Sequence, residues 1–364
     1  MRGPLLDLIC CPGCLGRLRL HPFTAEEDHV MEGALACLGC GAVYLVVGGV
    51  PRLLPRSLYW DAAFADRFGT ELAAVGAPPG QDHEVVPGAD LKRATAAAYG
   101  FEWNTWSRFG WEPGGQFDAG PEVFRTKSLL APNDLAGRVV VDAGCGNGRY
   151  SAAAARHAAQ VIAIDLSTAV DAAFTNLRDL PGAHVVQGDL TRPPLPRDSV
   201  DRIFSIGVLM ITGDARRTTE ILAGRLRPDG TITAHVYARG FPLWQLDDAV
   251  VRSVTTRLPI GAVTRLATGM TRAAKALDRR GWLGYSSLVL RVWPDDAVNF
   301  DWYATPRQTY HTYPEVVGWF TDMGYEVVAT NERPPPPPGR TARERLSRWV
   351  WRDAMVTVKA RRPA

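Results

Sequence analysis

Two groups of residues have types and spacings that could do chemistry. The first is the stretch DAGCGNG, holding Asp142, Gly144, Gly146 and Gly148, which follows the apolar run Val139, Val140, Val141. Alternate glycines let a backbone turn sharply and come close to a ligand, and the amides of a helix start behind them point at that ligand. The spacing is G-x-G-x-G after an aspartate, not the G-x-G-x-x-G of dinucleotide sites. The second group is two CxxC pairs, Cys11 with Cys14 and Cys37 with Cys40, separated by 22 residues. Each has glycine in or after its turn, a knuckle that aims two thiolates at one tetrahedral zinc. Disulfide pairing is the alternative, and a cytosolic setting disfavours it. Cys10 is a fifth thiol that tetrahedral zinc does not need.

The elements that must position these groups follow from the pattern around them. Residues 138–151 read as a buried strand, a tight turn and a helix start. Asp165, in VIAIDLS, comes 17 residues after Gly148 at the tip of the next strand. A helix and a strand impose about 20 residues between these points in nucleoside-binding folds. Asp189 ends a third strand in HVVQGDL, DRIFSIGVL makes a fourth and LRPDGTITAHVY a fifth. For Asp165 the competing reading is a helix cap before Ser167, and for the glycines a turn without a ligand.

The D-x-G-x-G-x-G pattern and the strands after it resemble motif I and its surroundings in the class I S-adenosylmethionine (SAM)-dependent methyltransferases. The resemblance implies an α/β fold with a Rossmann-like seven-stranded methyltransferase sheet, and SAM as cofactor. It places Asp142, Gly144, Gly146 and Gly148 under the cofactor, Asp165 and Leu166 at its ribose, Asp189 and Leu190 at its adenine, and Ile206 at the fourth strand's end. The first 55 or so residues, with LLDLICCPGC and the ending GVPRLL, are similar to small zinc ribbons that activate RNA and protein methyltransferases and that precede some rRNA guanine methyltransferases. The likeness implies a structural zinc on Cys11, Cys14, Cys37 and Cys40 and carries no substrate with it.

The chain of 364 residues carries a formal charge of +3, too small to demand a nucleic-acid or membrane partner. Up to Ser57 the ribbon's arginines and carboxylates cancel, which favours a structural or protein-docking role over RNA binding. No apolar run is long enough to span a bilayer, and Asp7 and Pro12 interrupt the N-terminal stretch as no secretory signal does, so a cytoplasmic protein is expected.

The expected organisation is a zinc ribbon over 1–57, a linker with an aromatic lid helix over 58–128, the SAM-binding core over 129–240, a helical substrate-cap insertion after strand five over 241–312, and the end of the core with a basic tail over 313–364. In the lid stretch AAAYGFEWNTWSRFG, Tyr99 and Trp103 are expected in the pocket. Leu243, Leu246, Val250, Val254 and Leu258 fall at helical spacing, and so do Ile260, Val263, Ala267, Met270, Ala274 and Leu277. These stripes fit either packing on the main domain or a hydrophobic substrate chamber. The polar stretch before Pro314 offers His311 as a base, with Tyr310 and Tyr303 orienting; His235, in ITAHVY, is the other base candidate. The tail has five prolines, Pro334 to Pro338, then Trp349 and Trp351 among arginines, with a net +6 from Glu332 on.

The function expected is methyl transfer to a small, fairly hydrophobic acceptor. An RNA methyltransferase using the ribbon and tail is the first alternative. A non-catalytic SAM-binding partner docking another protein through the ribbon is the second.

Overall fold

The structure is a computed structural model that describes residues 1–76, 86–112, 120–239, 242–283, 292–332 and 355–364, excepting the side chains of 242–248. The tail from 333 to 354, with Pro334 to Pro338, Trp349 and Trp351, lies outside the described residues, as do the turn signals at 77–85 and 113–119 and the side chains of Leu243 and Leu246.

The N-terminal part starts with a short 3-10 turn, Gly3–Asp7, and continues as β1 (Leu18–Glu26), β2 (His29–Cys37), β3 (Val43–Val47) and β4 (Val50–Leu53). Successive strands pair antiparallel. Short helices α1 (Ala62–Arg67) and α2 (Gly69–Ala74) then set Phe64, Phe68 and Leu72 against Ala34 and Leu45. Next come α3 (Ala89–Thr105), α4 (Pro121–Ser128) and α5 (Pro132–Leu135).

Strands and helices then alternate: β5 (Val139–Ala143), α6 (Arg149–Ala155), β6 (Gln160–Asp165), α7 (Ala169–Leu177), β7 (Ala183–Gly188), β8 (Val200–Ile206), α8 (Ala215–Ala223) and β9 (Leu226–Tyr237). Val140, Val141 and Ile162 to Ile164 are inaccessible to solvent, as parallel strands covered on both faces require. Helices α9 (Pro242–Thr255), α10 (Ile260–Asp278), α11 (Asp296–Ala304) and α12 (Tyr313–Thr321) follow, and the described chain ends in β10 (Glu326–Thr330) and β11 (Met355–Arg361).

Among the described residues the strands form one sheet in the order β1-β2-β3-β4-β7-β6-β5-β8-β9-β11-β10. It has eleven strands, not seven. The seven from β5 onward are the expected ones, and the ribbon extends them: β4 runs parallel to β7, pairing Arg52 with Gln187 and Leu53 with Gly188. The physical reason is an open edge. A ribbon with an unpaired strand beside a sheet whose outer strand is unpaired satisfies both rows of backbone groups by joining them.

Side chains seal the joint. Arg52, 3% exposed, donates to the Asp171 carboxylate at 2.5 Å, to the Val47 carbonyl and to Gln187 Oε1, and Gln187 donates to the Leu166 carbonyl. Gly49 sits at φ +79° with the Phe174 ring where a Cβ would be, so the β3–β4 turn can lie flat on α7 only as glycine.

The two apolar stripes after β9 meet different fates. In α10, Val263, Ala267 and Ala274 are buried, and Val263 and Ala267 pack with Phe300 of α11. In α9, Val250 and Val254 are 58% exposed, as is Leu258 beyond it at 40%, while the buried positions are Arg252 and Thr255. Those polar side chains hold the end of α11, Arg252 by the Thr305 carbonyl and Thr255 by the Tyr303 carbonyl. The described part of that apolar stripe, Val250, Val254 and Leu258, is therefore not buried. Among the described residues no helix is long and apolar enough to cross a membrane.

Candidate functional site

A cavity of about 430 Å³ lies over the C-terminal ends of β5, β6, β7, β8 and β9. In open α/β sheets this is where ligands bind. Its floor includes Gly144 and Gly146, with Asp165, Leu166, Asp189, Leu190 and Ile206 from the next strand ends, and His235 and Tyr237 from β9. The glycines are required by contact as well as by backbone angle. At Gly144, φ +93°, a Cβ would fall 2.3 Å from Val208, and at Gly146, φ +52°, it would press on the Trp103 indole at 3.1 Å.

Asp142 and Gly148 do not line this cavity; they hold its frame. Asp142 Oδ2 accepts from Ser151 Oγ at 2.6 Å, tying the strand end to α6. Burial pushes its carboxyl up to about 7, against the pull of that hydrogen bond. Gly148, φ +83°, lets α6 approach Leu177 of α7.

The carboxylates at the strand tips are already engaged. Asp165 accepts from the Gly146 amide at 3.0 Å and from the Ser167 amide and hydroxyl at 2.9 and 2.7 Å, so it both caps the next turn and braces the glycine loop. Asp189 accepts from Thr191 and forms a 2.6 Å ion pair with Lys92 of α3.

Helix α3 is one wall. Leu91, Lys92, Thr95, Ala96, Tyr99, Glu102 and Trp103 fall on one face at spacings of three and four and all line the cavity. Phe101 and Trp106 turn the other way and pack on Phe300. The helix is fastened to the core by Asn104 on the Thr168 carbonyl, and the segment after it by Asn147, which donates to the carbonyls of Ser107 and Phe109. Gly100 is needed at the crossing, because a Cβ there would fall 2.4 Å from Thr168 Oγ1.

The opposite wall is α11, capped by Asp295 on the Val298 amide, with Ala297, Val298, Asp301 and Trp302 facing the cavity and Trp293 beside them. Helices α9 and α10 contribute nothing to the lining among the described residues.

Of the four expected catalytic residues only His235 reaches the cavity. It is 5% exposed, its Nδ1 lies 2.7 Å from Thr357 Oγ1, and burial, with Lys127 nearby, takes its pKa down to about 3. A neutral ring that protonates so reluctantly is a poor base near neutral pH.

His311, Tyr310 and Tyr303 are not part of the lining. The His311 backbone extends β9, while its ring sits between Thr309 Oγ1 at 2.8 Å and Glu315 Oε1 at 2.7 Å, edge-on to Trp319. Glu315 is also the third residue of a capping box with Thr312, so α12 takes the histidine into its own N-terminal network. Tyr310 stacks on Tyr237 and takes a hydrogen bond from Gln308, and Tyr303 is buried under α9.

Sequence reasoning missed Glu102, Asp301 and Arg149. Glu102 is 2% exposed, and no described residue hydrogen-bonds its carboxyl. Burial holds that carboxyl well above the usual range, reinforced by Asp301 and opposed by Arg149. Asp301 is raised for the same first reason, against the pull of Arg149 and Arg252. Arg149 stacks on Trp103, Phe109 and Tyr150, and its Nη1 is buried without a hydrogen-bond partner. Glu102 was findable as the residue three after Tyr99 on the helix face that also carries Trp103.

In the ribbon, one Sγ from each of Cys11, Cys14, Cys37 and Cys40 lies within 4.8 Å of all the others. Sγ separations of 3.7 Å for Cys11–Cys40 and 3.4 Å for Cys14–Cys37 are near the ~3.8 Å edge of a zinc tetrahedron with ~2.3 Å bonds. The amides of Gly16 and Gly39 point at Cys14 and Cys37 Sγ, and a Cβ on either glycine would crowd Cys14 Sγ, at 3.0 and 3.3 Å. These residues fit a structural zinc. Cys10 stands apart, buried, with burial pushing its thiol up to about 12.

Residues 141–234 match the family model described as a methyltransferase domain, and residues 4–49 match the model described as Trm112p-like protein. No curated protein matches the chain. Among solved structures, the chain is similar to the complex of the Haloferax volcanii Trm112 methyltransferase activator with a putative methyltransferase, at 16% identity over 74% of this chain and 98% of that chain, TM-score 0.43. It is similar to a SAM-dependent methyltransferase from Mesorhizobium loti at 22% identity over 67% and 98%, TM-score 0.42. A third likeness is to Burkholderia thailandensis 1,6-didemethyltoxoflavin-N1-methyltransferase at 14% identity over 78% and 93%, TM-score 0.45. None of them bears on the acceptor of this chain. The chain therefore carries a methyltransferase domain built around the glycine loop, with a Trm112p-like ribbon ahead of it.

Proposed function

We propose that the protein transfers a methyl group from SAM to a small, largely apolar molecule held between α3 and α11. The observation that carries this is the cavity itself, which is in the size range of small-molecule sites and roofed by Trp103, Trp293 and Trp302. Aromatic walls fit a compact organic acceptor better than a polyanionic strand, which needs a wide basic track.

The bound cofactor supplies an electrophilic methyl group, and the chain's own residues position it. In this reading Asp165 accepts from ribose hydroxyls while still bracing Gly146, and Leu166, Leu190 and Ile206 flank the adenosine. Asp189 meets the adenine amino group, sharing its carboxylate with Lys92. The Gly144 and Gly146 backbone lies under the methionine part, with the orphaned Arg149 Nη1 available to its carboxylate. Tyr99 and Trp103 close over the reacting centre, where excluding water and fixing the approach supply the rate.

The substrate cap in this reading is α11 with α3. The ribbon serves as a fused support, since its β4 edge is occupied within its own chain, and a partner protein would have to use another face. Thiols in zinc geometry fit a reducing compartment such as the cytoplasm.

The test is methyl-labelled SAM offered with host extract separated into RNA and small molecules. Label in the small-molecule fraction is expected. Label in RNA would sink the proposal and promote the basic tail and ribbon to recognition elements.

A further inference from the structure

The floor of the cavity accounts for a donor, but two acidic groups on its walls have no part in that. Glu102 of α3 and Asp301 of α11 both line the cavity, from helices that sequence separates by nearly 200 residues. Glu102 is 2% exposed, and its carboxyl has no hydrogen-bond partner among the described residues. The charges acting on it are Asp301 and Asp165, of like sign, and Arg149. Asp301 feels Arg149 and Arg252, and its backbone carbonyl accepts from Thr305 Oγ1. Arg252 is turned away to the Thr305 carbonyl, and Arg149 is stacked on three rings. The Tyr99 hydroxyl lies 2.8 Å from Thr305 Oγ1 at the same spot. Tyr237, Trp293 and Trp302 line the cavity with the two carboxyls, the Trp302 ring centroid 5.1 Å from that of Tyr237 and 5.3 Å from that of Trp293.

We propose that Glu102, Asp301 and Tyr99 form the acceptor subsite and that the acceptor is an apolar amine, methylated on nitrogen. This rests on the small-acceptor reading above and narrows it.

The chemistry favours an ammonium over other acceptors. Two carboxyls that line one cavity and act on each other repel when ionised, and a cation beside them offsets that cost. An ammonium has up to three N–H donors, which two carboxyls and a tyrosine oxygen can accept. Indole faces add attraction for a cation, and apolar walls take the rest of the molecule. A carboxylate-bearing acceptor would meet like charge. A neutral alcohol would leave the pair without a counter-charge.

The balance is simple. Glu102 gives its proton to solvent as the ammonium binds, and the carboxylate so formed takes one proton from the ammonium. The freed nitrogen lone pair then forms the N–CH3 bond as the C–S bond of the donor breaks, and the sulfur keeps that electron pair. The product is an N-methylated ammonium and uncharged sulfur. That proton stays on Glu102 as the product departs and leaves when the next ammonium binds, so one proton is released per turnover.

The test offers methyl-labelled SAM with the small-molecule extract divided, before reaction, into basic, neutral and acidic pools by partition at high and low pH. Label in the basic pool is expected, with Glu102→Gln and Asp301→Asn each lowering transfer at least tenfold. Calorimetry should give both variants S-adenosylhomocysteine and SAM affinities within about threefold of the parent protein, showing that they fold and hold the donor. Label confined to the neutral or acidic pool overturns the amine and leaves a small-molecule methyltransferase standing. Label in RNA overturns both. Transfer to the basic pool with donor binding lost in the variants assigns the carboxyls to the donor and overturns the subsite.

Discussion

Asp142→Asn should raise the stability of the ligand-free protein at neutral pH, because the aspartate is a buried carboxyl kept for position. Its carboxyl accepts from Ser151 Oγ at 2.6 Å, and burial lifts its pKa from 3.8 to about 7. A carboxyl whose folded pKa is raised binds more protons in the folded state than in the unfolded one. Stability is therefore lost as pH rises from the unfolded pKa to the folded pKa, with the full cost present above the latter. Three pKa units at 1.36 kcal/mol each make that cost about 4 kcal/mol, of which roughly 2.5 kcal/mol develops between about pH 5 and about pH 8. Asparagine keeps an oxygen for Ser151 and does not ionise. Urea unfolding of parent and Asp142→Asn at these two pH values isolates the group, because the ribbon and all other carboxyls are common to both. The variant should gain about 2.5 kcal/mol relative to the parent across that interval. A difference between the two proteins that does not change with pH would refute the reasoning. It would mean that Asp142 is ionised throughout or that its environment admits water.

Removing the ribbon's metal should reach the cofactor site. Chelation, or Cys11→Ser with Cys37→Ser, should release one zinc per chain by metal analysis and lower S-adenosylhomocysteine affinity severalfold, because β4 pairs with β7 and Gln187 holds the Leu166 carbonyl. Intact affinity after complete zinc loss would show the ribbon to be an independent unit. Arg52→Leu attacks the same joint from the side chains, leaving Gln187 and the Val47 carbonyl without their guanidinium. It should cost about 2–3 kcal/mol in denaturant unfolding, toward the lower end for a buried ion pair because Asp171 is half exposed. A loss under about 0.5 kcal/mol, the range of ordinary surface substitutions, would show that Arg52 does not bind the two parts together.

What the sequence determined by itself is what short contiguous stretches encode. The glycine loop at Gly144, Gly146 and Gly148 and the two cysteine knuckles are legible because each works through local backbone geometry and fixed spacing. The alternation of strands and helices from Val139 to Tyr237 is legible for the same reason, since each element carries its own periodicity. Tertiary structure alone decided what depends on distant partners. Whether the open edge of β4 meets β7 is settled by the fit of Gly49 on Phe174 and of Arg52 on Asp171, and no local pattern announces an eleven-stranded sheet. His311 has a histidine's chemistry, but its surroundings commit it to Glu315 and the start of α12. Among the described side chains of α9, Val250 and Val254 stay exposed while Arg252 and Thr255 are buried, because the carbonyls at the end of α11 need donors. Glu102 and Asp301 become one site only when α3 and α11 face each other across the cavity, and burial then changes their chemistry in a way composition cannot carry.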